Sequence, residues 1–297
     1  MPNTSSNSLL SMASLLFGCV IFGLGSVIVA HVAVGSFAMA FWRLLVSSFI
    51  FIALAVIFQH RLPKNRSAIL FGLLSGAALG FDLALWHESV HAVGPGISTL
   101  LNSLQIFFLA FIGYVFFKEK QSPVQLLSLV VAVVGVGLIA SPEFRHNLNA
   151  GWGFVAGIIS GAFLAISMSF IRQAHKSAPV PIFSLMSLVG VGGAAALLPV
   201  MLWFDQGKIL PTTLTDVGWI LIYGAVMQCV AWGLIAHAIP RLSLALTGLL
   251  LLSEPVAALV IDYVWLEKPI SIMQWSGAAL TLFAIYLGSV GQKPKTK

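Results

Sequence analysis

Apolar residues run along the 297-residue chain in blocks of 20 or so, and polar residues fall mostly between the blocks. Ten blocks lie near 9–30, 35–58, 67–87, 94–117, 123–141, 151–172, 180–204, 216–238, 242–265 and 271–291. A helix rises about 1.5 Å per residue, so each block is long enough to cross a hydrocarbon core of about 30 Å. Turn or charge signals separate most of them, as at Arg61-Leu62-Pro63-Lys64, Lys118-Glu119-Lys120, Ser177-Ala178-Pro179 and Ile239-Pro240-Arg241. The faintest separation is 31–34, where only His31 and the following Gly35-Ser36 interrupt the hydrophobicity. The longest, 142–150, falls at the midpoint.

Composition makes lipid the solvent. Hydrophobic residues make up 59% of the chain and charged residues 8%, with a mean hydropathy of +1.01. A soluble domain carries about 25% charged residues. The fold class expected is an all-α integral membrane protein with ten transmembrane helices. The formal charge of +6 raises the question of nucleic acid, and the positions of the charges answer it. With the N-terminus in the cytoplasm, Arg61, Lys64, Arg66, Lys118, Lys120, Arg172, Lys176, Arg241, Lys293, Lys295 and Lys297 all fall on that side. Arg145, Lys208 and Lys268 fall outside, and Arg43 lies within a span. Basic charge spread over loops in this way is a topology signal, N-in and C-in, rather than a nucleic-acid groove. The first block lacks a basic lead-in and is too long for a signal-peptide core, so it reads as a retained span. Cys19 and Cys229 lie in apolar runs and need no role beyond packing.

The chain is also written twice. Asp82-x3-Trp86-x4-His91 returns 146 residues later as Gln228-x3-Trp232-x4-His237, and Glu119-Lys120 returns as Glu267-Lys268. The halves are expected to be residues 1–142 and 143–297, with five spans each. Five is odd, so the second copy enters the membrane from the opposite face, giving an inverted repeat with its substrate site near the midplane.

Polar residues inside the spans are the candidates for that site. Ser98, Asn102 and Gln105 share one face of span four, and Thr247, Leu251 and Glu254 stand at the matching places of span nine. Gln105 and Glu254 each lie roughly 15–18 Å into the core. A carboxylate there costs at least about 2.5–3.5 kcal/mol unless it meets water or a partner, which marks Glu254 as functional by default. Helix stitching is the alternative role for these polar groups. Asp82 and Trp86 share a face of span three, and Gln228 and Trp232 a face of span eight. Their indoles either stack on a substrate or an ammonium group, or belong to an interfacial belt. Arg43 and Asp82 pair, bind opposite ends of a zwitterion, or snorkel. Glycines 18, 23, 25, 153, 157 and 161 allow close helix packing. Glu254-Pro255 interrupts span nine at its middle and frees polar backbone there.

His87-Glu88-Ser89-Val90-His91 matches the zinc-protease pattern H-E-x-x-H. An intramembrane zinc metalloprotease is therefore a rival, and a channel is a third class. Against the protease, the motif runs into Val93-Gly94-Pro95-Gly96, which threatens the turn the two His must share, and no third ligand follows at a zincin spacing.

Nearly the whole chain resembles the EamA family of the drug/metabolite transporter superfamily. The resemblance rests on Phe41-Trp42-Arg43-Leu44-Leu45 and on Val90-His91-Ala92-Val93-Gly94-Pro95-Gly96-Ile97-Ser98. It rests most on Leu252-Ser253-Glu254-Pro255 through Leu266-Glu267-Lys268, with Gln274 and Gly277 after it. One departure is that no Pro in the first half matches Pro255, so span four has no evident reason to break. The resemblance implies a cytoplasmic-membrane carrier whose cavity is lined by spans three, four, eight and nine. Within the family the chain is most similar to bacterial YddG-type exporters of aromatic amino acids; carriers of sugars or nucleotide sugars are the alternative. It implies alternating access, with a bacterial inner-membrane location and no covalent chemistry. The expected partners are a small-molecule substrate and the lipid bilayer, the expected unit is a monomer, and no cofactor or metal is called for. Glu254 would hold an ammonium, Asn102 and Gln105 a carboxylate, and Trp86 or Trp232 a side chain.

Overall fold

Blocks of apolar residues become helices because a chain in lipid must satisfy its backbone polar groups internally. The computed structural model describes residues 4–23, 32–141, 151–265 and 269–290, and every extended element among them is helical. The first three spans form α1 (Thr4–Gly23), α2 (Ser36–Ile57) and α3 (Arg66–Val93). Span four is split into α4 (Pro95–Ser103) and α5 (Gln105–Phe117), followed by α6 (Pro123–Ile139), α7 (Gly151–Ser177) and α8 (Ile182–Phe204). Span eight begins as α9 (Leu214–Ile222), widens to a π-helix over Tyr223–Trp232, and closes as α10 (Gly233–Ala238). Span nine is split into α11 (Leu244–Leu251) and α12 (Ser253–Trp265), and α13 (Ile272–Val290) is last. Among the described residues, seven helical stretches are long and apolar enough to cross a membrane. Three shorter apolar ones, Leu9–Gly23, Pro123–Ile139 and Ile272–Gly288, occupy the first, fifth and tenth predicted blocks. His31, the 142–150 break and Glu267-Lys268 lie outside the described residues.

Side-chain caps mark some of the helix starts. Asn65 Oδ1 accepts the Ser67 and Ala68 N–H groups at 2.8 and 3.2 Å, Ser122 caps α6 and Ser243 caps α11. Span three runs to Val93, beyond the expected end near 87, because nothing in His87–Val93 breaks a helix before Gly94, whose φ of 87° does. Both His of H-E-x-x-H therefore sit on one unbroken turn.

The two split spans break at equivalent places, Leu104 and Leu252, 148 positions apart. At each the N–H bonds back three residues instead of four: Leu104 to Leu101 O at 3.1 Å and Leu252 to Leu249 O at 3.2 Å. Such tightened turns inside a helix mark hinges. In span nine, Pro255 lacks an N–H and its ring crowds the carbonyl of Leu251. Span four breaks without a proline. There Ser103 Oγ donates to Thr99 O at 2.7 Å, a competing bond that bends helices, and Ser253 Oγ does the same to Leu250 O at 2.7 Å.

Close helix crossings hold the bundle together. The most extensive contacts are α3 with α7, α6 with α13, and α8 with α3 and α2. The pairing survives exchange of the two halves: α7 packs on α3 and on split α4–α5, and α1 packs on span eight and on split α11–α12. Backbones touch at these crossings. A Cβ at Gly161 on α7 would lie 2.7 Å from Asn102 O and 3.1 Å from Gln105 N, and one at Gly23 on α1 would lie 2.9 Å from Ala258 N. Large apolar side chains such as Phe49, Phe111 and Trp203 point away from the bundle, more than 60% exposed, as a lipid-facing surface requires.

At the end of α5 farthest from its break, Glu119 ties three elements together. Its Oε1 pairs with Arg172 of α7 at 2.5 Å, and its Oε2 accepts the Leu244 N–H at the start of α11 at 3.0 Å. The Arg172 guanidinium also lies over the Phe117 ring, 5.0 Å from its centre.

Candidate functional site

The two breaks line one central cavity. Its empty space is about 910 Å³, part of it open to the exterior. Asp82, Trp86, Asn102, Gln105, Trp232 and Glu254, all candidates from the sequence, line it together. Leu79, Leu83, Leu164, Ile235 and Leu251 supply apolar wall. Trp86 and Trp232 therefore face the cavity rather than an interfacial belt, and Trp232 is 3% exposed.

Each polar group has a distinct setting. Asp82 Oδ1 accepts from Asn102 Nδ2 at 2.9 Å and from Ser160 Oγ at 2.8 Å. Asn102 Nδ2 also donates to Ser160 Oγ, at 2.5 Å, which locks the amide onto the carboxylate. Glu254, two residues after the span-nine break at Leu252, makes no hydrogen bond among the described residues and lies against the cavity. Among the described residues, three buried polar atoms of the wall have no partner: Arg43 NH2, Gln105 Oε1 and Trp232 Nε1. A buried orphan of this kind costs about 1–3 kcal/mol, so such groups gather where a ligand is to satisfy them.

Arg43 resolves one of the alternatives left open by the sequence. At 1% exposure it does not snorkel, and no ion pair joins it to Asp82 or Glu254 among the described residues. Its Nε donates to Gln228 Oε1 at 2.8 Å and its NH1 to the Tyr223 hydroxyl at 2.8 Å. The guanidinium is stacked between the rings of Phe22 and Tyr223, 4.9 and 4.5 Å from their centres. The π-helix makes this grip possible. In an α-helix, residues five apart are turned about 140° from each other, whereas i→i+5 bonding brings them onto one face. Tyr223 and Gln228 are five apart, and both reach Arg43.

Two candidates lie outside the cavity wall. Gln228 stands behind Arg43 as its acceptor, and Ser98 is buried with its hydroxyl donating to Trp86 O at 3.3 Å, tying α4 to α3. Thr247, the counterpart of Ser98, is likewise turned to its own helix, donating to Ser243 O at 2.8 Å. Tyr223, Thr99 and Ser103 line the cavity and were not singled out from the sequence. The π-helix that turns Tyr223 inwards leaves no periodicity signal. The H-E-x-x-H residues face elsewhere. His87 lies between Ser36 O and the Tyr223 hydroxyl, at 3.1 and 3.3 Å. His91 Nδ1 is 3.2 Å from Ser36 Oγ, and Glu88 accepts from Trp152 Nε1 at 3.4 Å. The motif thus anchors α3 to the start of α2.

A helical membrane bundle with a polar cavity between two broken helices is the architecture of a carrier for small molecules. The chain belongs to the EamA-like transporter family, whose model matches it twice, over residues 9–141 and 151–290. It is a multi-pass membrane transporter and not an enzyme. It is 25% identical over 264 residues to a WAT1-related chloroplastic protein of Arabidopsis thaliana, covering 85% of this chain but only 62% of the plant protein. It is 23% identical over 251 residues to a probable amino-acid metabolite efflux pump of Salmonella typhimurium, covering 82% of this chain and 83% of that one. One solved crystal structure shares the fold, with a TM-score of 0.77 over 97% of this chain and 98% of the other at 14% identity.

Proposed function

We propose that the protein exports amino acids, aromatic ones foremost, and related metabolites across a bacterial inner membrane by alternating access. The observation that carries this reading is the pairing of opposite unmet needs in one cavity. Among the described residues, Arg43 NH2 and Trp232 Nε1 are donors without acceptors, suited to a carboxylate. Among the same residues, Glu254 and Asp82 are carboxylates without a cation partner, suited to an ammonium. Trp86 and the leucines between them offer an apolar seat for a ring. A zwitterion with an apolar side chain meets all three. The carboxylate site expected at Asn102 and Gln105 moves to Arg43 in this reading, because Asn102 is committed to Asp82 and the free atom of Gln105 is an acceptor.

The double family match and the exchangeable pairing of the halves support ten crossings in two inverted repeats, residues 1–142 and 143–297. The loop charges support an N-in, C-in orientation. Equivalent breaks at Leu104 and Leu252 let one half adopt the shape of the other, which would open the cavity to each face in turn. The name of the Salmonella relative agrees with amino-acid cargo. The test is uptake by proteoliposomes against labelled amino acids, sugars and nucleotide sugars. Aromatic amino acids should be taken up, and Glu254→Ala and Trp232→Ala should each reduce uptake more than tenfold. Transport confined to sugars or nucleotide sugars would overturn the substrate, and undiminished uptake in both variants would overturn the site.

A further inference from the structure

His87 is wholly buried and takes no direct part in the proposed transport. Its neighbours fix its protons. Nδ1 is 3.1 Å from the Ser36 carbonyl, and a carbonyl only accepts, so Nδ1 carries the proton of the neutral ring. Nε2 is then an acceptor, and the Tyr223 hydroxyl 3.3 Å away must donate to it. A phenol has one proton. With that proton committed to His87, the oxygen presents its lone pairs to Arg43 NH1 at 2.8 Å. Gln228 holds Nε from the other side, so two of the three guanidinium nitrogens are fixed. Among the described residues only NH2 is left without a partner, in the wall of the cavity. The order of donors and acceptors runs in one direction from the start of α2 to the cavity, and reversing any link leaves two donors or two acceptors face to face.

We infer that His87 is a positioning residue: through Tyr223 it orients Arg43 so that its free edge receives the substrate's carboxylate. This rests on the amino-acid reading of the cavity. It assigns to His87 of the H-E-x-x-H motif a role in substrate selection without metal, since its Nε2 sets the direction of the Tyr223 hydroxyl. Tyr223 has the ring of a phenylalanine and one extra oxygen, so its replacement isolates the hydrogen bond from the stacking on Arg43.

The test is equilibrium binding of phenylalanine and of 2-phenylethylamine, which lacks the carboxylate, to the purified full-length protein. The readout is the ratio of the two affinities, which a general loss of folding would not move. The native chain should prefer phenylalanine, and Arg43→Gln should abolish the preference. Tyr223→Phe and His87→Leu should each lower it about tenfold with little change for the amine, and His87→Gln, with both a donor and an acceptor, should restore most of it. If Arg43→Gln abolishes the preference but Tyr223→Phe and His87→Leu keep it, or weaken both probes alike, the relay is wrong and the cavity reading stands. If Arg43→Gln keeps the preference, or the native chain has none, the cavity reading itself is wrong.

Discussion

Replacing Glu119 by Gln should be among the most damaging isosteric changes in this protein. The pair with Arg172 is nearly enclosed, with side chains 8% and 6% exposed, and it is made through one nitrogen at 2.5 Å. Removing one partner of a buried pair strands the other charge, at about 3–5 kcal/mol. Gln keeps an oxygen for the Leu244 N–H now held at 3.0 Å, so the cap of α11 survives. The Phe117 ring beneath Arg172 offsets part of the loss. The expected cost is therefore at the lower end, about 3 kcal/mol. Arg172→Met made together with Glu119→Gln should recover most of it, with a coupling energy of about 2 kcal/mol. Equilibrium unfolding in mixed micelles of detergent and dodecyl sulfate measures all corners of the cycle. A loss below about 0.5 kcal/mol for Glu119→Gln, or additive effects in the double variant, would refute the reasoning. Because Gln still accepts from the Leu244 N–H, hydrogen exchange in the first turn of α11 should stay close to native in Glu119→Gln.

Further outcomes follow from the breaks and caps. Gly161→Val places carbon against the backbone of Asn102 and Gln105, so it should cost about 1–3 kcal/mol and reduce transport. Gly151→Val, which meets nothing within 4 Å, should not reduce transport. Pro255→Ala should leave stability within about 1 kcal/mol, because the proline stands in the first turn of α12 where its missing N–H is an orphan anyway. Its transport rate should fall, and an unchanged rate would separate the break from the transport cycle. Asp216 bonds reciprocally with Thr213 at the start of α9. Thr213→Ala should remove both bonds, cost about 1 kcal/mol and speed hydrogen exchange in the first turn of α9, and an unchanged exchange rate there would show that the cap does not hold the turn.

Particular residues show how far the sequence could be read. Glu254 was legible because a carboxylate in the middle of an apolar run has no cheap explanation. Asp82, Trp86 and Trp232 were legible through repetition. Tyr223 was not, since an aromatic in an apolar block looks like packing until a π-helix turns it beside Gln228. Arg43 was visible as a charge, and its task was not, because three rotatable arrangements satisfied the same position. The break at Leu104 was hidden for a different reason. A proline announces a break in the sequence, whereas Ser103 makes one only when its hydroxyl chooses Thr99 O over other partners.

The amino-acid sequence by itself determined the solvent, the helical class, the duplication and the layer of polar residues at mid-span. These follow from composition and period, which no tertiary contact can reverse in lipid. Tertiary structure alone decided which polar groups remain unpaired. Among the described residues, Asn102 is spent on Asp82, Gln228 on Arg43 and His87 on Ser36 and Tyr223, leaving Arg43 NH2, Gln105 Oε1 and Trp232 Nε1 to the cavity. A hydrogen bond depends on distance and direction between residues as far as 185 positions apart, and neither is written in the local pattern of the chain.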